Sequence, residues 1–481
     1  MASTPNPSNI EPQPPSVLAH NDYEGNRRSN HPSVSRNYYT HSSAHRVSTE
    51  TVVAQALKAQ YPSLTLTVTP SRTTPLLSYA ASGHAESTPL SDKDVSPPSI
   101  SQKSYIPPTR RLDGAIGSLG ENLSFGKFLF KWAGKEFIVY LIDGRDGTSA
   151  YPQNLNFYIL SVDAEAAEEL ILTVGRWADD LHEEVWVFDQ GNWTKSKELY
   201  DSIRSATWGN VILDEEMKKT LINDHLSFFR ARETYASLRV PWKRGVIYYG
   251  PPGNGKTISV KATMNMLYHQ DPSIPTLYVR TLASWMGPEM SVKMIFAKAR
   301  QFAPCYLVLE DLDTIITDGV RSYFLNEVDG LGRNDGIFMV GSTNHLDRLD
   351  PGISKRPSRF DRKYFFPDPD HPQRIAYAQF WQKKLADNEE VDFPDRMCKA
   401  VADITDGFSF AYMQEAFVAA LLAIARRSDN GENGMEKGIV EGDWLAIDGK
   451  DDDDDELEKN LLWVELKKQI AILREGMEEK S

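Results

Sequence analysis

Val246-Ile247-Tyr248-Tyr249-Gly250-Pro251-Pro252-Gly253-Asn254-Gly255-Lys256-Thr257-Ile258 is an apolar run that breaks into a glycine-rich loop and restarts on a Lys-Thr pair. The run reads as a strand, and Lys256 opens a helical pattern. Strand, loop and helix in that order are the context a phosphate-binding loop requires. Gly253 and Gly255 let backbone N–H groups curl round an anion without Cβ clashes. The helix start adds its dipole and its free N–H groups. Lys256 supplies a point charge for phosphates, and the Thr257 hydroxyl suits Mg²⁺. The expected nucleotide-contacting set is Gly250, Pro251, Pro252, Gly253, Asn254, Gly255, Lys256, Thr257 and Ile258.

Working outward, short apolar strands alternate with helices from Gly245 to Pro367, the rhythm of a parallel sheet with crossover helices. The predicted strands are Val246–Tyr249, Thr276–Arg280, Tyr306–Glu310, Ile337–Gly341 and Lys363–Phe366. The third ends in Glu310-Asp311-Leu312-Asp313, so a buried strand delivers acids to the edge where phosphates would sit. One carboxylate can hold the water shell of Mg²⁺ while another polarises the attacking water. The fourth leads into Ser342-Thr343-Asn344, an amide suited to a γ-phosphate or a lytic water. Lys355 to Arg362 then offers Arg356 and Arg359, whose guanidinium groups suit bidentate phosphate contact. Past Pro367 the pattern is helical, through Gln373–Leu385 and Phe410–Arg427.

A formal charge of −14 argues against a broad nucleic-acid or membrane-surface footprint. Two cysteines, Cys305 and Cys398, make neither a disulfide framework nor a thiolate metal site, which points to a reducing compartment. The greasiest stretch, Ala416–Ala425, has the length of a buried helix rather than of a membrane span. These features suit an intracellular protein of the cytoplasm or nucleus and leave the mitochondrion open.

Residues 1–110 hold fourteen of the 28 prolines and little apolar periodicity, so they are expected to be a disordered tail, with one helix-then-strand patch at Thr51–Leu66. Residues 111–205 read as a small α/β domain. It would contain strands around Phe128, Phe137–Ile142, Asn156–Ser161 and Val185–Phe188, with a helix over Ala164–Leu181. Residues 206–370 form the nucleotide-binding domain and 371–427 a helical lid. An acidic linker at 428–456 contains Asp451–Asp455, and a terminal helix at 457–481 carries Trp463, Leu466, Ile470 and Leu473 at coiled-coil-like spacing.

From Thr207 to Arg427 the motifs in this order resemble the AAA family of ATPases. The resemblance implies a P-loop NTPase fold: a parallel five-stranded sheet with crossover helices and a C-terminal helical lid. Here a small α/β domain and a disordered tail come before it. It also implies ATP and Mg²⁺ as ligands and a homo-hexameric ring that remodels protein clients. It matches Thr207–Leu213 to the adenine cradle, Asn344 to the first sensor, and Gly407–Met413 to the lid segment over the nucleotide. Arg356 and Arg359 match arginines offered to a neighbouring subunit's ATP, and Trp285-Met286-Gly287 matches a client-gripping pore loop. The local likeness runs to the mitochondrial inner-membrane translocase that assembles the Rieske protein, although the membrane helix of that branch has no counterpart here.

Three departures qualify the resemblance. The family's usual Asp-then-Glu is here Glu310 then Asp311, which puts Glu310 on the metal side and the shorter acid on the water-activating side. Few residues separate Asp313 from Phe324, and Phe410 stands where the lid usually has Gly. A nucleotide-gated scaffold with weak or no hydrolysis is the alternative these departures leave open.

Overall fold

The computed structural model describes residues 36, 39–41, 44, 48–91, 99–108, 116–144, 155–329, 334–356, 359–388, 391–429 and 457–478. They fall into two units, Met1–Asp180 and Leu181–Ser481. The expected disordered start before residue 36 and the run Asp451–Asp455 lie outside the described residues.

The first unit contains α1 (Thr49–Gln60), β1 (Thr65–Pro70), α2 (Leu76–Ala81), β2 (Glu86–Pro89), β3 (Ile100–Ile106), β4 (Ser118–Trp132), β5 (Lys135–Asp143), β6 (Leu155–Ser161) and α3 (Ala164–Asp179). Its sheet is antiparallel, in the order β1-β6-β5-β4-β2, with β3 also paired to β4. Alternation along β5 and β6 makes two apolar faces. Val139, Leu141, Phe157 and Ile159 pack with Leu76 of α2 and Leu170 and Val174 of α3. Tyr140, Ile142, Tyr158 and Leu160 pack with Leu57 of α1. The β4–β5 turn uses Ala133 (φ 49°) and Gly134 (φ 72°), both left-handed as a tight hairpin requires.

The expectation of a disordered tail to residue 110 is therefore corrected for α1 to β3. Their apolar residues are sparse, and β1 gains its ladder from β6, with Thr65 opposite Ser161. A partner so distant in sequence leaves no local signal.

The second unit runs β7 (Val185–Asp189), β8 (Asn192–Ser196), α4 (Lys197–Arg204), α5 (Glu215–Arg230), α6 (Arg232–Leu238), β9 (Lys243–Tyr249), α7 (Lys256–Tyr268), β10 (Thr276–Val279), α8 (Pro288–Phe302), β11 (Cys305–Leu309), α9 (Leu312–Ile315), α10 (Asp318–Asp329), β12 (Ile337–Thr343), α11 (Pro351–Ser354) and β13 (Arg362–Phe365). Four helices follow: α12 (His371–Lys384), α13 (Asp395–Ile404), α14 (Phe410–Asp429) and α15 (Leu461–Glu478). The sheet order is β13-β9-β12-β11-β10-β7-β8, seven strands rather than five. All neighbours are parallel except β7 and β8. Val185–Asp189 thus belongs to this sheet, where Trp186 lies opposite Leu277, and not to the smaller unit as its place in sequence suggested.

Both faces are covered, as a parallel sheet demands. Leu307 and Leu309 meet Val292, Phe296 and Phe324 on one side, while Val308 and Val340 meet Phe228, Val260 and Met264 on the other. The terminal helix α15 is no separate coiled-coil element. Its Leu462, Trp463, Leu466 and Ile470 share one core with Trp381, Phe408 and Phe417 of the helical subdomain. Among the described residues no helix is long and apolar enough to cross a membrane.

His225 on α5 is fully buried, its ring stacked 4.3 Å from that of Phe338. Burial pushes its pKa down from 6.5 to about 4. Below 6.5 the unfolded chain takes up a proton that the folded chain refuses until about 4, so stability falls across that window as pH drops. The loss from this residue is at most about 3 kcal/mol. Urea midpoints from pH 7.5 to 4.5 should fall less steeply for His225→Phe; parallel slopes would show that His225 contributes nothing.

Candidate functional site

β9 ends at Tyr249, and the chain turns through Gly250 (φ 144°), Gly253 (φ 82°) and Gly255 (φ 91°) before α7 opens at Lys256. No side chain caps this helix start, so its first N–H groups are available to an anion. Lys256 is 7% exposed and donates through Nζ to the Gly250 and Pro251 carbonyls, each at 2.8 Å. Burial lowers its pKa, and the charges of Asp311 and Asp313 oppose that shift. Thr257 and Ile258 lie exposed on the first turn.

The loop also touches the helical subdomain. A side-chain carbon at Gly253 would sit 2.6 Å from Ala411 Cβ and 3.0 Å from Ser409 Oγ, so only glycine fits that approach. Asn254, 1% exposed, donates to Asp368 Oδ1 at 2.8 Å, on the stretch that leads from the sheet to α12. Ser409 and Ala411 fall inside the segment singled out from sequence, whereas Asp368 gives no local sign of its role.

Beyond β11, Glu310 is half-buried and accepts a 2.7 Å hydrogen bond at Oε2 from the Tyr278 hydroxyl of β10. Its Oε1 is buried without a protein partner. Asp311 is exposed, with a left-handed backbone (φ 52°, ψ 52°), and its N–H donates to Ser342 Oγ at 3.1 Å. Asp313 accepts at 2.6 Å from the Thr343 hydroxyl, which itself accepts from the His345 N–H at 2.9 Å. The acidic segment Glu310–Asp313 is thus bonded to the end of β12. Asn344 follows and, with Tyr249 and Gly250–Pro252, lines a cavity of about 680 Å³. Sequence reasoning missed Tyr278 and Thr343, whose roles depend on strand register, and gave Asp313 no role.

The two arginines part company. Arg356 is exposed, as an outward-facing role requires. Arg359 is buried: Nε and Nη2 donate to Asp329 Oδ2 at 2.9 and 2.6 Å, and Nη1 to the Gly352 carbonyl at 2.5 Å. Its expected role toward a neighbouring subunit meets a competing use, because three of its N–H groups are bonded inside its own chain. Trp285 is 83% exposed and Met286 is 36% exposed, at the end of a loop braced by Ser284 Oγ on the Gly287 carbonyl (3.0 Å).

The donor set fits a magnesium–nucleotide complex. The Thr257 hydroxyl and the orphaned Glu310 oxygen are hard ligands. Among the described residues no three His, Cys, Asp or Glu side chains cluster as a metal cage. A cation here would draw its remaining ligands from phosphates and water, which is how Mg²⁺ usually binds.

Residues 246–368 match the model of the ATPase family associated with various cellular activities (AAA). The match spans the loop, the acidic strand and the strand leading to Asn344. It supports an AAA-type ATPase domain in the larger unit, of a family that generally uses ATP and Mg²⁺.

Removing Arg359 strands Asp329 and the Gly352 carbonyl. Because Asp329 is partly open to water, Arg359→Ala should cost about 2 kcal/mol rather than the full value of a buried pair. Thermal melts should show this loss for Arg359→Ala and none for Arg356→Ala. Equal melting temperatures would contradict the assignment.

Proposed function

We propose that this chain binds ATP with Mg²⁺ on Gly250–Ile258 and hydrolyses it, working as a homo-hexameric ring, as the AAA resemblance implies, to remodel protein clients.

 The observation that carries this reading is the buried Lys256 ammonium at a helix start, with Asp311 and Asp313 acting on it, where the parallel strands end. In this reading Lys256 neutralises the phosphates, and Thr257 and Glu310 hold the cation. Asp311 orients the attacking water, and Asn344 senses the γ-phosphate. What Mg²⁺ supplies when bound is charge neutralisation on the phosphate oxygens.

Arg356 is the arginine we assign to the neighbouring subunit's nucleotide, since Arg359 is held internally. Trp285, Met286 and Gly287 are the assigned client contact, supported by the exposure of Trp285. The likeness to Rieske-assembly translocases rests on a few residues, including the Glu310-before-Asp311 order, and brings neither location nor substrate with it. The acidic charge and the absence of a basic–aromatic stripe in the sequence of the ATPase region argue against a nucleic-acid motor.

A second reading, a nucleotide-gated scaffold with little turnover, draws on the exposed and shorter Asp311. The two separate in a single-turnover experiment with Mg²⁺. A phosphate burst abolished by Asp311→Asn supports hydrolysis, and no burst supports the scaffold.

Arg356→Ala should lower steady-state turnover about a thousandfold while leaving nucleotide affinity unchanged. Mass in solution should rise to that of a ring on addition of ATP. Full turnover by the variant, or a monomer under all conditions, would remove the shared-site reading.

A further inference from the structure

Tyr278 sits opposite Val308 in the parallel register of β10 and β11. Glu310 lies two residues beyond Val308, so both project toward the same face of the sheet. A tyrosine is long enough to reach such a diagonal neighbour, and its hydroxyl meets Glu310 Oε2 at 2.7 Å. The ring itself packs against the apolar cluster containing Val260, Tyr306 and Val308, which fixes where the hydroxyl points.

The other carboxylate oxygen, Oε1, is buried with no hydrogen-bond partner. Leaving a charged acceptor unsatisfied is costly unless something else completes it. Glutamate also has one more rotatable bond than the aspartate usual at this position, so its tip needs an anchor that aspartate does not. Tyr278 provides that anchor, and it occupies only one of the two oxygens.

We infer that Tyr278 is a positioning residue for the metal-side carboxylate: it holds Glu310 Oε2 so that Oε1 is presented to the hydrated Mg²⁺ of the bound nucleotide. This rests on the reading of Gly250–Ile258 as a magnesium–nucleotide site. It also explains how a chain with glutamate in place of aspartate keeps a defined metal ligand.

The test is titration of the full-length protein with a fluorescent ATP analogue, in Mg²⁺ and in EDTA. The readout is the gain in affinity that Mg²⁺ confers. Tyr278→Phe keeps the ring in its apolar setting and should cut that gain about fivefold, with affinity in EDTA unchanged. Glu310→Asp, too short to reach Tyr278, should also reduce the gain and should make Tyr278→Phe silent in its background. A wild-type gain in Tyr278→Phe overturns the inference, as does an equal loss in EDTA or two effects that simply multiply. If the unaltered protein binds no analogue in either condition, the nucleotide reading itself fails and the inference with it. An unaltered Mg²⁺ gain that ignores Tyr278→Phe removes only the role of Tyr278.

Discussion

The ε-ammonium of Lys256 is a full positive charge almost withdrawn from water, and much of the larger unit is arranged so that this can be tolerated. A buried cation without partners is prohibitively costly. Here two loop carbonyls accept its hydrogen bonds, and Asp311 and Asp313 act on it through space. These partners come from stretches more than fifty residues apart. The parallel sheet brings them together: β9, β11 and β12 run in one direction, so the residues that leave them all emerge at one edge. The loop is also confined, because a side-chain carbon at Gly250 would overlap the Phe366 carbonyl beside it. Charge, sheet polarity and backbone proximity are thus a single constraint.

What was legible in the sequence follows from what is local. The five strands from Val246 to Phe366 are short apolar runs with turn residues at their ends, and the loop between β9 and α7 carries its glycines in contiguous order. The hairpin at Ala133 and Gly134 is equally local. By contrast, β7 reads as a strand wherever it is placed, and only its pairing with β10, some ninety residues on, assigns it to the larger sheet. The same applies to β1, a threonine-rich edge strand that gains its order from β6. Within the site, Arg356 and Arg359 are indistinguishable as letters. Asp329, on a helix thirty residues earlier, is what turns one of them inward.

The helical subdomain has a similar history. Its terminal helix carries an apolar seam that would suit a coiled coil, yet the seam is used up against the subdomain's own core. This core is also what presents Ser409 and Ala411 to Gly253, while Asp368, on the connecting stretch, meets Asn254. The phosphate loop therefore contacts the helical subdomain through packing and the connecting stretch through a charged hydrogen bond. A displacement of the loop by bound phosphates would be felt at both places.

The order of Glu310 and Asp311 then becomes a question of reach. Under the proposed reading Asp311 takes the water-activating side, where it is one methylene shorter than the usual glutamate. Its backbone, however, adopts the left-handed region, a conformation that costs a residue with a Cβ about 1–2 kcal/mol. Ser342 pins that conformation by accepting the Asp311 N–H. Under the proposed reading the turn would redirect the carboxylate, so that backbone geometry takes over part of what side-chain length does elsewhere. At the preceding position the exchange runs the other way: the longer Glu310 is held back by Tyr278. Under the proposed reading the two substitutions compensate for each other's length through different means, one by a strained main chain and the other by a hydrogen bond from the next strand. A pair of acids in reversed order can then serve the same two tasks, provided that both supports are present.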